Sequence, residues 1–364
     1  MNKIKAFLAR KGVVCSFRQY GVDALGAMAQ GLFCTLLVGT ILNTLGQQLH
    51  IGFLTAPVVS VGTVSYTVGG LASAMVGPGI AAAIGTALHC PPLVLFSLIP
   101  VGFAANAMGG AGGPLAVYAV TIIAAELGKL VSKETRIDIL VTPCVTVIAG
   151  IAVAQLIAAP IGTAARAVGL AIMWATELQP FFMGVLVSAL IGIALTLPFS
   201  SAAICAAFGL TGLAGGAAVA GCCAQMVGFA VMSFKENRWG GLVAQGVGTS
   251  MLQMPNILKN PRIWIPPTLA SMITGPLATC VFKLQMNGSP VSSGMGTCGF
   301  VGQIGVYTGW VSDIAAGTKA AITPMDWIGL VLICFILPAV LSTLFCRVLE
   351  KRGWIREGDM KLDL

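Results

Sequence analysis

Charge is what this sequence lacks. Only 9% of its 364 residues are charged, where a soluble domain carries about 25%. The deficit is concentrated. No Asp, Glu, Lys or Arg occurs from Ala24 to Ala125, and none from Leu178 to Phe234. A soluble helix drawn from either stretch would have no wet face. A helix crosses a bilayer with about 20 apolar residues, so the first stretch has room for about four passes and the second for about two. Histidine and acidic residues are also scarce, at 2 and 12. No HExxH, Walker A or GxSxG pattern is present, and no catalytic residue is assigned. The 11 cysteines form no CxxC pair and no cluster with histidine, so neither metal nor cofactor is expected. They read as small apolar side chains in a reducing cell.

What is present is apolar. Hydrophobic residues make up 57% of the chain, and mean hydropathy is +0.94. The fold class expected is an all-α integral membrane protein that crosses the bilayer with about ten helices. The candidate segments are 24–46, 54–76, 79–104, 114–131, 139–159, 181–199, 201–233, 240–257, 263–283 and 327–346. They divide the chain into a basic N-terminal segment (1–20), a membrane transport-type region (21–346) and a C-terminal tail (347–364).

The net charge of +8 is an orientation signal and not a nucleic-acid one. Lys3, Lys5, Arg10, Lys11 and Arg18 precede the first apolar run, and Arg347, Lys351, Arg352 and Arg356 follow the last. Short basic segments stay in the cytoplasm, so both termini are expected there. Residues 4–20 read either as an amphipathic helix on an anionic bilayer face or as a solvated, orienting tail. The 126–138 loop falls on the same side. Alternation puts the Lys235–Arg238 loop outside, against the basic trend. A re-entrant segment in 201–257 or an extra pass at 162–176 would remove the conflict, and both stand.

Glycine is abundant, at 46 residues. Three clusters exceed what helix packing needs: Asn106–Pro114 (NAMGGAGGP), Gln245–Asn256 (QGVGTSMLQMPN) and Ser293–Gly305 (SGMGTCGFVGQIG). No helix is stable through GGAGGP, because each glycine costs about 1 kcal/mol and proline about 3. The first cluster reads as a turn. Broken or re-entrant backbone of the other kind lines substrate sites in transporters. The second and third clusters also carry amides and Thr297. Intramembrane polar groups are costly and often functional, and a neutral amide, with donor and acceptor together, suits a hydroxyl-rich solute. The candidate substrate-binding residues are therefore Gln245, Gln253, Asn256, Thr297 and Gln303, with Asn106 and Gln225. Helix–helix bonding is the better reading for isolated amides such as Gln30 and Gln155.

There is also a short internal echo. Lys133-x-x-Arg136-Ile137-x-Ile139 repeats as Lys259-x-x-Arg262-Ile263-x-Ile265, and Gly31 and Gly39 have the spacing of Gly184 and Gly192. It suggests two related halves, a common device in secondary transporters.

The segment from Leu252 to Gln303 reads LQMPNILKNPRIWIPPTLASMITGPLATCVFKLQ and then, after a polar loop, MGTCGFVGQ. It resembles the enzyme IIC-like membrane proteins of the bacterial sugar phosphotransferase system. More narrowly, it is similar to the branch that includes the perfringolysin O regulator. The resemblance implies a homodimeric sugar-type transport domain, whose phosphate would come from a separate cytoplasmic IIB protein. No IIA or IIB domain is expected on this chain, and the Gly-Ile-Thr-Glu-Pro motif of glucose-type relatives is missing. By position, the resemblance adds Asn260, Pro261 and Arg262 as gate or loop residues. The expectation is a transporter of a small polar, carbohydrate-like solute. The alternatives are a membrane sensor or regulator with the same fold, acting on a cytoplasmic partner, and a IIC component served by a separate IIB protein.

Overall fold

The computed structural model describes residues 7, 8, 10–13 and 16–362. Lys3, Lys5 and Cys15 of the basic leader therefore lie outside the described residues. The backbone separates into two compact units, Met1–Ala164 and Ala165–Leu364, each taken by itself below.

The first unit is built on glycine contacts. Helix α1 (Arg18–Gln48) packs on α2 (Val68–Ala74) and α3 (Val76–Ala87), which meet at a bend of 54°. Gly31 lies on the backbone of Gly79 and Ile80, and Gly39 on Gly69 and Ser73. Helices approach this closely only where a side chain is missing. Helix α4 (Pro92–Gly109) turns at Gly110 (φ 52°) into α5 (Gly113–Val131). Val94 sits against Gly128, and Asn106 against Gly113. The 92–131 stretch is thus an antiparallel hairpin, and NAMGGAGGP is its turn. Helix α6 (Asp138–Thr176) carries the chain into the second unit. At its start Asp138 ties the preceding loop to the first turn, accepting from the Lys133 N–H (2.7 Å) and from Thr142 Oγ1 (2.6 Å).

The described part of the leader is tied to the 126–134 region. Arg10 and Lys11 reach Glu134 at 2.9 and 2.5 Å. Lys129, paired with Glu126 at 2.8 Å, donates to the Gly12 carbonyl at 3.0 Å.

The second unit is organised around α8 (Gly212–Met232), which is apolar and 89% buried over its core window. Helices α7 (Pro180–Thr196), α11 (Ile265–Pro276) and α13 (Pro324–Lys351) pack on it. A Cβ on Gly221 would lie 1.9 Å from the Ser188 carbonyl oxygen, and one on Gly275 2.0 Å from that of Gly184. Between α8 and α11 the chain is broken. It runs through α9 (Phe234–Val243), a π-turn (Ala244–Gly248), a 3-10 turn (Ser250–Gln253), α10 (Met254–Lys259) and a second 3-10 turn (Pro261–Trp264). Beyond α11, the Ser293–Phe300 stretch leads into α12 (Val301–Ala315).

Among the described residues, five helical stretches are long and apolar enough to cross a membrane, the α4–α5 hairpin counted as one of them, or six with the bent α2–α3 pair. They are fewer than the ten apolar segments because several segments are not continuous helices. Residues 54–76 hold a β-hairpin, Val59–Val61 paired with Val64–Tyr66, before α2 begins. Valines that read as apolar are β-branched there and flank a turn at Gly62 (φ 61°), which favours strands. Helix α7 has only 17 residues, and 240–257 and 263–283 are interrupted.

Candidate functional site

The middle of α8 meets the glycine-rich Ser293–Gln303 stretch. Cys222 is the eleventh of 21 residues in this helix, so contacts at 222–226 lie at mid-span. Cys222 Sγ faces the Ser293 carbonyl at 3.8 Å, Thr297 Oγ1 donates to Met226 Sδ at 3.5 Å, and Gln303 Nε2 donates to Cys223 Sγ at 3.2 Å. The backbone of the stretch is irregular, and it is buried from Ser293 to Cys298. Gly296, Gly299 and Phe300 all have positive φ, at 53°, 52° and 58°. Gly296 has no room for a side chain, since its Cβ would lie 2.6 Å from the Cys222 Cβ. Non-helical backbone is tolerated at membrane depth where protein surrounds it. The Gly302 N–H finds the Gly296 carbonyl at 3.0 Å. One group stays unsatisfied. Gln303 is 8% exposed, and its Oε1 is buried with no hydrogen-bond partner. Leaving such an acceptor unpaired costs about 1–3 kcal/mol.

Gln225, half a turn along α8, centres a second polar group. Its Nε2 donates to Thr268 Oγ1 (3.1 Å), and its Oε1 accepts from Trp264 Nε1 (3.1 Å) and, more weakly, from Thr196 Oγ1 (3.4 Å). Thr196 and Ser250 share a hydroxyl contact of 2.8 Å. The two broken stretches touch where the Ala244–Gly248 turn meets Cys298–Phe300. The side chains named at mid-span are amides, hydroxyls, an indole and sulfurs, with no formal charge. They offer hydrogen bonds to an uncharged polar molecule and no counter-ion to a charged one.

Gln245, Gln253 and Asn256 are placed otherwise. Asn256 Nδ2 donates to Gln253 Oε1, and Gln253 Nε2 to Gln245 Oε1, each at 2.9 Å. Gln245 Nε2 ends the relay on Ser233 Oγ at 2.9 Å. The relay holds the C-terminal tail: Gln253 Nε2 also reaches the Met360 carbonyl (2.9 Å), and Asn256 Nδ2 that of Lys361 (2.8 Å). Asn260, Pro261 and Arg262 belong to the same clasp. Asn260 donates to the Trp354 carbonyl (3.0 Å) and to Asp359 Oδ2 (2.7 Å), while its Oδ1 accepts the Arg262 N–H that opens the Pro261–Trp264 turn. The Arg262 guanidinium lies 5.3 Å from the Trp354 ring. Glu236 and Asn237 complete it, accepting from Gly358 and Met360 and from Leu362. Burial pushes the Glu236 carboxyl above its ordinary range, against the two N–H donors, which lower it.

Asn106 belongs to the first unit, at the α4–α5 turn, where its Oδ1 crowds Gly113. A polar pocket of about 490 Å³ opens among Lys283, Asn287, Trp310, Asp313, Lys319 and Asp326. Gly212, the start of α8, bridges Met286 beside it, so this pocket and the tail clasp sit at opposite ends of α8. The sequence reading missed Thr196, Trp264 and Ser250 at mid-span and Ser233, Glu236 and Asn237 in the clasp. Hydroxyls and one indole in apolar runs carry no distinctive spacing, and a charged loop reads as solvated.

The family model "Phosphotransferase system, EIIC" matches residues 22–362. The chain belongs to this family. It is a sugar-transporter-like component of a bacterial inner membrane, as the apolar helices require and as the resemblance anticipated. No curated protein and no solved structure matches the chain. In this EIIC-family protein the match covers the mid-span site and nearly all of the tail clasp.

Proposed function

We propose that this EIIC-family protein carries a small, uncharged, hydroxyl-rich solute across the inner membrane, binding it at mid-span between α8 and the Ser293–Gln303 stretch. The supporting observation is the buried carbonyl of Gln303, held by Cys223 on its amide side and unpartnered on its oxygen. A solute hydroxyl donates to that oxygen. Thr297, on the same stretch as Gln303, supplies a further hydroxyl against α8, and the broken backbone gives the site the freedom that alternating access needs. Gln245, Gln253, Asn256 and Asn260 act through the tail and not on the solute. Phosphorylation of the solute belongs to a separate IIB partner, and the transporting form is a homodimer with both termini cytoplasmic.

A second reading, a sensor that binds the solute without moving it, draws on the tail clasp, which ties a polar segment to the broken stretch. Proteoliposome uptake of labelled hexoses and hexitols tests the first. Uptake in the wild type that falls at least tenfold in Gln303→Ala supports carriage through this site. Binding without uptake sustains the sensor. Uptake unchanged in Gln303→Ala removes the site.

A further inference from the structure

The C-terminal segment is held as a bound peptide is held. After α13 the chain passes Gly353 (φ 70°) and returns across α9, the Ser250–Gln253 turn and α10. Two apolar side chains anchor it, Ile355 and Met360, each 2% exposed, while Trp354, Glu357 and Gly358 are exposed. Apart from the bond of Asn260 to the Asp359 carboxylate and the Arg262 guanidinium beside the Trp354 ring, the remaining recognition is directed at main chain. The carbonyls of Trp354, Met360 and Lys361 accept from Asn260, Asn237, Gln253 and Asn256. The N–H groups of Gly358, Met360 and Leu362 donate to Glu236 and Asn237. These bonds address the backbone of a turned segment, in which the N–H groups of Asp359 and Lys361 close on the carbonyls of Arg356 and Gly358, and they do not depend on side-chain identity.

This seat is not remote from the mid-span network. Gln253, fully buried, ends the same four-residue turn in which Ser250 meets Thr196. Without the tail, the second donor hydrogens of Gln253 and Asn256 lose their carbonyls. Buried donors left in that way are costly, so the turn favours a different arrangement. Two-state behaviour of one short element, biased from both ends, is the physical requirement for coupling.

We propose that Glu236, Asn237, Gln253, Asn256 and Asn260 form a binding site for peptide main chain, occupied by residues 354–362 of this chain, and that its occupancy sets the conformation of Ser250–Gln253. The tail is a displaceable ligand that holds the broken stretch in one state. The inference goes beyond the transport reading and is tested without any solute.

The test is hydrogen exchange on the full chain in detergent. Gly358→Pro acts on the tail alone: it removes the N–H given to Glu236 and forbids the native φ of 94°. Asn237→Ala acts on the seat alone. Both variants should speed exchange at least tenfold in 354–362 and also in 250–253, with the α8 core unchanged as the folding control. A synthetic peptide of sequence Trp354–Leu364, added to Gly358→Pro, should restore the protection of 250–253. Faster exchange confined to the tail overturns the coupling. Failure of the peptide to restore protection overturns the site, and so does a tail that neither variant loosens.

Discussion

Gln303 and Gln225 are two mid-span amides with opposite hydrogen-bond status. Gln225 is satisfied on both atoms, by Thr268, Trp264 and Thr196. Gln303 is satisfied on one. Truncation should separate them. Trp264→Phe takes the indole donor from Gln225 and should lower stability by about 1–2 kcal/mol, with solute binding weakened indirectly. Gln303→Ala deletes an acceptor that has no protein partner, so its thermal transition should stay near that of the wild type while solute binding disappears. Thermal unfolding of both variants in the same detergent checks the contrast. The exposed Glu134 gives a pH dependence at the same scale. The Lys11 hydrogen bond, with the charges of Lys11 and Arg10, holds its carboxyl below the ordinary 4.5. A carboxyl lowered by folding contributes its stabilisation above 4.5 and loses it as the pH falls through the lowered value. Residues 10–13 should therefore exchange faster in acid, after correction for intrinsic rates. A flat profile would show that these cations do not hold the leader.

At the scale of the element, glycine sets the spacing of the helices. Gly221→Ala places a Cβ 1.9 Å from a carbonyl oxygen of α7. It should cost about 1–3 kcal/mol or more, as overpacking does. Gly240→Ala in α9 meets nothing within 4 Å and should be neutral or stabilising by up to about 1 kcal/mol. Equal melting temperatures for the two would refute the packing argument. These elements also show what the sequence made legible. Charge-free runs marked the membrane helices, and GGAGGP marked the α4–α5 turn, because composition and local propensity decide such features. The hairpin at 59–66 was hidden, since valines in a strand and in a membrane helix look alike without their partners. The amides of 245–256 were located but their ligand was not. Gln253 meets Met360 across 107 residues, and nothing in local spacing announces a bond of that range. Gln303 stands as a proposed site residue for the opposite reason: an amide beside a helix-breaking string at mid-span has few local partners. The family strings gave the fold's class, which the match over 22–362 shows.

For the molecule as a whole, the second unit gives α8 two distinct ends. One holds Gly212, Met286 and the polar pocket. The other holds Ser233, Glu236, Asn237 and the tail. The Lys235–Arg238 loop therefore shares a face with the C-terminus, which agrees with the basic-loop trend and not with strict alternation of the ten segments. Single cysteines at Arg238 and Glu357, in a background without the exposed native Cys34, Cys144 and Cys280, should react with an impermeant maleimide from the same side of sealed vesicles. One at Asn287 should react from the other. Opposite labelling of 238 and 357 would contradict the clasp. The central claim is that a neutral, hydroxyl-rich solute binds at Gln303. The most direct measurement is a thermal-shift comparison of wild type and Gln303→Ala against hexoses, hexitols and hexose phosphates. A ligand at a hundred times its dissociation constant stabilises the fold by about 2.7 kcal/mol. The account predicts a shift with a neutral sugar or sugar alcohol in the wild type and none in Gln303→Ala. A shift only with the phosphates, or one that survives the substitution, would contradict it.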